Sequence, residues 1–325
     1  GAARAQAQLR LAALFEHQLG QGDAALPLYR AVLESDPAAG VAAEAIARLL
    51  LQREDYAGLL SFWDERAAGT TDGQARVTLL LRAGELAERI GDLPGARARL
   101  SAAIELVPAY LPALDALERV LYGLGDWEAL VKLAEERASS AEEPSAVADQ
   151  LYRAADLIER RLGDGGRALQ AYARALEHVP DHGLSLDALL RLAPVHGEWA
   201  LAASTLAAAA GASADPNLQV GWWYRAANIR LHQLNDRAGA IAALRAALQV
   251  SPGFLAAEEL LEELLVGEQS WDEVLVAWRA KAEATEDGAA RVWRLVAAAL
   301  VAEQLPEADA SALAEAALRE SPQSA

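Results

Sequence analysis

Cysteine is absent from all 325 residues, which closes disulfide scaffolds, cysteine-ligated zinc, iron–sulfur clusters and thiol catalysis together. Methionine is absent too, even at position 1, and lysine occurs only at Lys132 and Lys281 against 27 arginines. That Arg-rich, Ala-rich usage points to a segment cut from a longer protein encoded in a GC-rich bacterial genome. Positive charge is scarce: 29 basic against 47 acidic residues leave a formal charge of −18. Affinity for phosphate backbones needs clustered positive charge, so nucleic acid is excluded as the main partner. No apolar run reaches the roughly 18 to 20 uninterrupted residues of a membrane span, so direct membrane insertion is not expected. The first residues carry no signal-peptide pattern, and the lack of cysteine suits cytoplasm and exported compartments equally.

What is present is a chain with 53% hydrophobic and 23% charged residues, enough to bury a core, and a long internal period. Prolines close the strings SDP, LVP, HVP, VSP and ESP at Pro37, Pro108, Pro180, Pro252 and Pro322, spaced 71, 72, 72 and 70 apart. Between them Tyr56, Trp127, Trp199 and Trp271 recur at 71, 72 and 72. Turn-rich breaks lie at 70–73, 139–144, 211–216 and 285–288. Each unit divides again, because Gly91-Asp92 returns 34 residues later as Gly125-Asp126. A period near 34 is the length of a helix-turn-helix repeat.

Counted back from the proline, a small residue recurs at Ala25, Ala96, Ala168, Ala240 and Ala310. A mostly bulky row follows at Tyr29, Leu100, Tyr172, Leu244 and Ala314, then a mostly small one at Val32, Ala103, Ala175, Ala247 and Ala317. With Gly84, Tyr152 and Tyr224 in the preceding helices, the chain resembles the tetratricopeptide repeat family over nearly its whole length. The resemblance implies an all-α fold: one right-handed α-solenoid over 1–325, a superhelix of about nine hairpins and eighteen helices, with repeat units 1–73, 74–144, 145–216, 217–288 and 289–325. Five hairpins match well and four are degenerate, with Leu59, Leu130 and Val274 where alanine is usual and Pro194 set to kink or end a helix. The last hairpin is poorer still, with Pro306 and Glu307 in place of a Gly-Asp turn. One hairpin cannot cover its own apolar face, so neighbours must stack, and the periodic Tyr56, Trp127, Trp199 and Trp271 are read as inter-repeat packing.

Chemistry is thin. Among the five histidines only His178 and His182 are close, in the string HVPDH, and Pro180 breaks the helical turn that would place them on one face as metal ligands. The LGQGDA string at 19–24 lacks the preceding strand and third glycine of a dinucleotide loop, and no Walker loop or GxSxG elbow occurs. Carboxylate neighbours such as Glu135-Glu136 and Glu142-Glu143 sit in polar contexts, without the burial that would make one an acid. No cofactor, metal site or catalytic residue is expected.

Recognition by surface remains. The resemblance implies that the first helix of each hairpin lines a concave groove. Counted from the prolines, one groove column reads Ala7, Thr78, Gln150, Trp222 and Val292, and Trp222 is its outlier. Trp223 and Trp293 fall in a mostly apolar column and are read as packing. The next groove column reads Arg10, Leu81, Arg153, Arg225 and Leu295, followed by Arg160, Arg161, His232 and Gln233. Arginines capture carboxylates bidentately, so a protein partner with an acidic or C-terminal segment, anchored by Trp222, is one reading. Pairing of these arginines with the chain's own carboxylates is the other. The function expected is a non-enzymatic interaction scaffold within a larger assembly. The alternatives are a targeting or regulatory region of a longer enzyme, or a self-associating structural segment.

Overall fold

A computed structural model describes residues 2–306 and 308–320. Among them are eighteen α-helices and no strand. In chain order they are α1 (Ala2–His17), α2 (Gly22–Ser35), α3 (Gly40–Gln52), α4 (Tyr56–Gly69), α5 (Gly73–Arg89) and α6 (Leu93–Leu106). Then come α7 (Leu111–Leu124), α8 (Trp127–Ser140), α9 (Pro144–Leu157), which runs on into a π-helical turn Ile158–Leu162, α10 (Gly165–His178), α11 (Gly183–His196) and α12 (Trp199–Ala212). The last six are α13 (Pro216–His232), α14 (Arg237–Val250), α15 (Leu255–Gly267), α16 (Trp271–Glu283), α17 (Gly288–Ala302) and α18 (Ala310–Glu320). They gather into two compact units that divide in sequence between Glu136 and Arg137. The closing Pro322 of the proline row and Glu307 lie outside the described residues.

The Gly-Asp strings are the joints between paired helices. Gly91 (φ 85°) and Gly163 (φ 71°) take the left-handed conformation that ends the first helix, a conformation a Cβ disfavours, and Asn235 (φ 53°) stands in for glycine in the fourth copy. The aspartate that follows caps the second helix: Asp92 accepts from the Gly95 amide at 3.0 Å, Asp164 from Arg167 at 2.9 Å and Asp236 from Gly239 at 2.9 Å. Pro194 falls in the last turn of α11, which ends at Gly197.

The three rows counted from proline are the cores of the first four well-matched hairpins. In the last, where Asp309 caps α18 through the Ala312 amide, Ala314 is exposed and only Ala317 is buried, so the count from Pro322 fails there. Ala25, Ala96, Ala168 and Ala240 are wholly buried where the helices approach, and Tyr29, Leu100, Tyr172 and Leu244 fill the layer beside them. Gly84 belongs here as well, since a Cβ on it would stand 2.7 Å from Leu100. Tyr56, Trp127, Trp199 and Trp271 each open a second helix and are half-buried. Trp271 packs on the core of its unit, and Trp127 meets Tyr122 edge-on at 5.2 Å.

The well-matched hairpins α1–α2, α5–α6, α9–α10, α13–α14 and α17–α18 close tightly on themselves. In α3–α4, α11–α12 and α15–α16 the second helix instead packs chiefly on the next hairpin's first helix. Leu59 and Val274, fully buried, hold the place of the tight hairpins' alanines and keep those helices apart. In α11–α12 that place is Ala202, and side-chain size does not account for the looser closure.

Candidate functional site

The first helices set the geometry of any recognition surface, and their register is fixed by the acid that precedes each. Asp72, Asp215 and Asp287 cap α5, α13 and α17 through the Gln74, Asn217 and Ala289 amides, and Glu143 precedes α9. Counting from these residues shifts the second copy by one position and the last by two relative to counting from proline. For the second copy the cause lies at the far end of the helix. Asp164 and Asp236 reach back six residues to the Ile158 and Arg230 carbonyls, whereas Asp92 reaches five, to Ala87. One more residue is looped out in the third and fourth copies, as the π-helical turn in the third.

Two readings change as a result. The arginine column is Arg10, Arg82, Arg153 and Arg225, with Arg82 rather than Leu81 in the second copy. Trp293 aligns with Thr78, Asp149 and Gly221 rather than with Trp223. It is 74% exposed, so the expectation that it packs is corrected, while Trp223 does pack on the core of its unit.

In this register the first helices carry a ladder of ion pairs that sequence reasoning missed. Glu16 on α1 accepts from Arg48 on α3 (2.6 and 2.9 Å) and from the Tyr29 hydroxyl (2.8 Å). The third copy repeats the arrangement: Glu159 pairs with Arg191 on α11 at 2.6 Å and accepts from Tyr172 at 3.0 Å. In the second copy Glu88 pairs with Arg119 on α7 at 3.0 Å, and Leu100 replaces the tyrosine. A second rung joins Arg82 on α5 to Glu44 on α3 at 2.8 Å.

These contacts shift the carboxyls. Burial pushes Glu16 up, but hydrogen bonds from Arg48 and Tyr29 outweigh it and hold the carboxyl below its ordinary value. The Arg191 hydrogen bond, aided by Tyr172, does the same to Glu159. Tyr29 is pushed up to about 12 by burial and by Glu16 beside it. The only sequence signal was the recurrence of Glu and Arg some 31 or 32 residues apart, legible once the register is known.

In the fourth copy the ladder lapses. Leu231 stands in the place of Glu16, Glu88 and Glu159, and Glu263 in the place of Arg48, Arg119 and Arg191. Ala297 on α17 replaces the arginine that would meet Glu259, the counterpart of Glu44. Lys281 of α16 takes Glu258 at 3.3 Å and also Glu262. Glu259 and Glu263 are left exposed with no ion-pair partner among the described residues, as are Arg225 and His232 on α13. Tyr224 meets Phe254 edge-on at 5.3 Å, and Leu231, Leu260 and Leu261 share one core, which sets α15 beside α13. The counterpart in the first copy is an open groove of about 610 Å³ between α1 and α3, lined by Arg10, His17, Glu44 and Arg48.

The remaining sequence candidates lie on α9 and its π-helical turn. Gln150 is half-buried, Arg153 and Arg161 are exposed and engaged within the chain, and Arg160 pairs with Asp156 one turn back at 2.6 Å. Trp222 is half-buried on α13, one turn before Arg225. His182 is not paired with His178: its Nδ1 meets the Ser185 hydroxyl at 2.8 Å and its Nε2 meets Asp149 at 3.2 Å. Asp149 is exposed, but the Ser185 hydroxyl is closed to solvent: Ser185 is 0% exposed and holds the place of the buried Ala42, Ala113 and Ala257 in the other copies. Among the described residues no group of three or more His, Asp or Glu could hold a metal, and no helix is long and apolar enough to cross a membrane.

No family model and no curated protein matches the chain. Solved structures similar to it include a tetratricopeptide repeat protein from Parabacteroides merdae (14% identity, 81% of this chain and 99% of that one, TM-score 0.34). Another is the TPR2AB domain of yeast Sti1 in its pHSP90 complex (16% identity, 81% and 98%, TM-score 0.32). A third is YrrB, a TPR protein described as having an unusual peptide-binding site (18% identity, 56% and 90%, TM-score 0.29). The periodic burial of the Ala, Tyr or Leu, and Ala rows gives this chain a tetratricopeptide-like helical-hairpin fold.

Proposed function

We propose that the chain is a non-catalytic interaction scaffold whose second unit receives a protein or peptide segment along α13. Trp222 supplies the apolar anchor and Arg225 captures an acidic side chain or a terminal carboxylate, with His232 extending the same face. Gln150, Arg153, Arg160 and Arg161 on α9 and its π-helical turn would flank the segment. The observation that carries this reading is the contrast along one column: Arg82 is neutralised by Glu44, whereas Arg225 is exposed and makes no ion pair among the described residues, although Asp187 on α11 holds the place of Glu44. An unpaired guanidinium beside a large aromatic is the composition of interface hot spots. The test is affinity capture from native cells by the wild type and by a Trp222→Ala, Arg225→Ala double variant of unchanged helicity. A partner held by the first and lost by the second supports the reading. The same partner held equally by both refutes it.

A further inference from the structure

The faces of α13 and α15 that correspond to the first-copy groove carry opposite charge, and this specifies more than an acidic ligand. On α13 stand Arg225 and His232; on α15 stand Glu259 and Glu263, exposed and unpaired among the described residues. In the first copy the same positions are Arg10, His17, Glu44 and Arg48, where Arg48 is bound to Glu16 and Glu44 to Arg82. The fourth copy has exchanged that arginine for Glu263 and lost both in-chain partners, to Leu231 and Ala297. These two faces therefore offer carboxylates on one side and a guanidinium on the other, none of them ion-paired among the described residues.

We infer that the occupant is an extended segment of a partner protein in which acidic and basic residues alternate. The inference rests on the scaffold reading above and deepens it. Glu259 and Glu263 are one helical turn apart, about 6 Å along the axis at 1.5 Å per residue. Side chains on one side of an extended strand repeat every second residue, at about 6.6 Å. A strand laid along these two faces therefore presents its basic residues at i and i+2 to Glu259 and Glu263. The intervening acidic residues turn to the α13 face and Arg225. At Glu259 the partner would supply the charge that Arg82 supplies to Glu44, and at Glu263 a cation in place of the arginine the earlier copies carry there themselves. A purely acidic segment would satisfy Arg225 but set like charges against Glu259 and Glu263.

The test uses the full chain and labelled peptides of one composition, with Glu and Arg alternating or in separate blocks, together with an all-acidic peptide, read by fluorescence anisotropy. The alternating peptide is expected to bind best. Glu259→Gln with Glu263→Gln should weaken it by at least about fivefold, the upper range for an exposed ion pair, without weakening the all-acidic peptide. Leu231→Glu with Glu263→Arg, which rebuilds the rung of the earlier copies, should also weaken the alternating peptide. If block and all-acidic peptides bind as well as the alternating one, all through Arg225, the alternating pattern is wrong and the scaffold reading stands. If no peptide's binding depends on Trp222 or Arg225, both fail.

Discussion

Removing one hydroxyl, by Tyr172→Phe, tests whether the ladder is structural. The Tyr172 side chain is almost wholly buried, and its hydroxyl donates to Glu159, which also holds Arg191 on the neighbouring first helix. Phenylalanine fills the same volume, so no cavity term enters. The loss is one hydrogen bond to a charged acceptor, worth about 1.5 to 3 kcal/mol. Because Arg191 remains on Glu159, the expected cost is near the lower end, about 1.5 to 2 kcal/mol. Stability in a repeat array is the sum of local repeat and interface energies, so the loss should be read locally, as amide exchange in α9, α10 and α11 faster by about ten- to thirtyfold. Helices α14 to α18 should change little. A loss below about 0.5 kcal/mol, no more than a typical surface substitution costs, or one spread evenly over both units, would refute the reasoning.

The same network sets a pH dependence. Glu16 and Glu159 have folded-state values below the ordinary carboxyl, so their contribution is complete above about pH 4.5 and lost as pH falls through the folded values. Glu159→Gln should therefore destabilise at pH 7 and converge on the wild type in acid, as followed by urea unfolding across pH 2.5 to 7 (approximate range set by the ordinary carboxyl value). The exposed rung behaves differently: Arg82 and Glu44 are 44% and 64% exposed, and Arg82→Ala should cost less than about 1 kcal/mol by the same assay. Gly84→Ala should cost about 1 to 3 kcal/mol, because the new Cβ would meet Leu100 at 2.7 Å in a filled layer. Glu54 and Gln269 hold left-handed conformations where Gly125 and Gly197 serve in the other degenerate hairpins, so replacing either by glycine should raise stability by about 1 kcal/mol in thermal unfolding.

The hairpins were legible because proline, alanine and the Gly-Asp joints are local signals, each with a single backbone or packing cause. Counting from Pro108 correctly placed Ala96, Leu100 and Ala103 in the second helix, where no residue is inserted. The same count failed one helix earlier, because the turn before Asp164 and Asp236 holds one residue more than the turn before Asp92. That single residue put Leu81 in the place of Arg82. Exposed Trp293 fell among packing residues because Pro322 follows Asp309 by 13 residues, where the earlier prolines follow Asp92, Asp164 and Asp236 by 16. Trp222 could be singled out as a departure from its column and Arg225 as one of the recurring arginines, but the lapse of ion pairing along α13 and α15 could not. It depends on contacts between first helices some 31 or more residues apart, and on what stands at Leu231, Glu263 and Ala297.

The central claim is that a partner lies between α13 and α15, and site-specific photocrosslinking tests it most directly. A photoreactive side chain at Asn228, which shares the α13 register with Ala13 in the first-copy groove, is compared with one at exposed Gln249 on α14. Crosslinks from position 228 alone, mapping to a segment with alternating charge and abolished by Arg225→Glu, are the predicted result. Equal crosslinking from both positions, or crosslinks from 228 indifferent to Arg225, would contradict it.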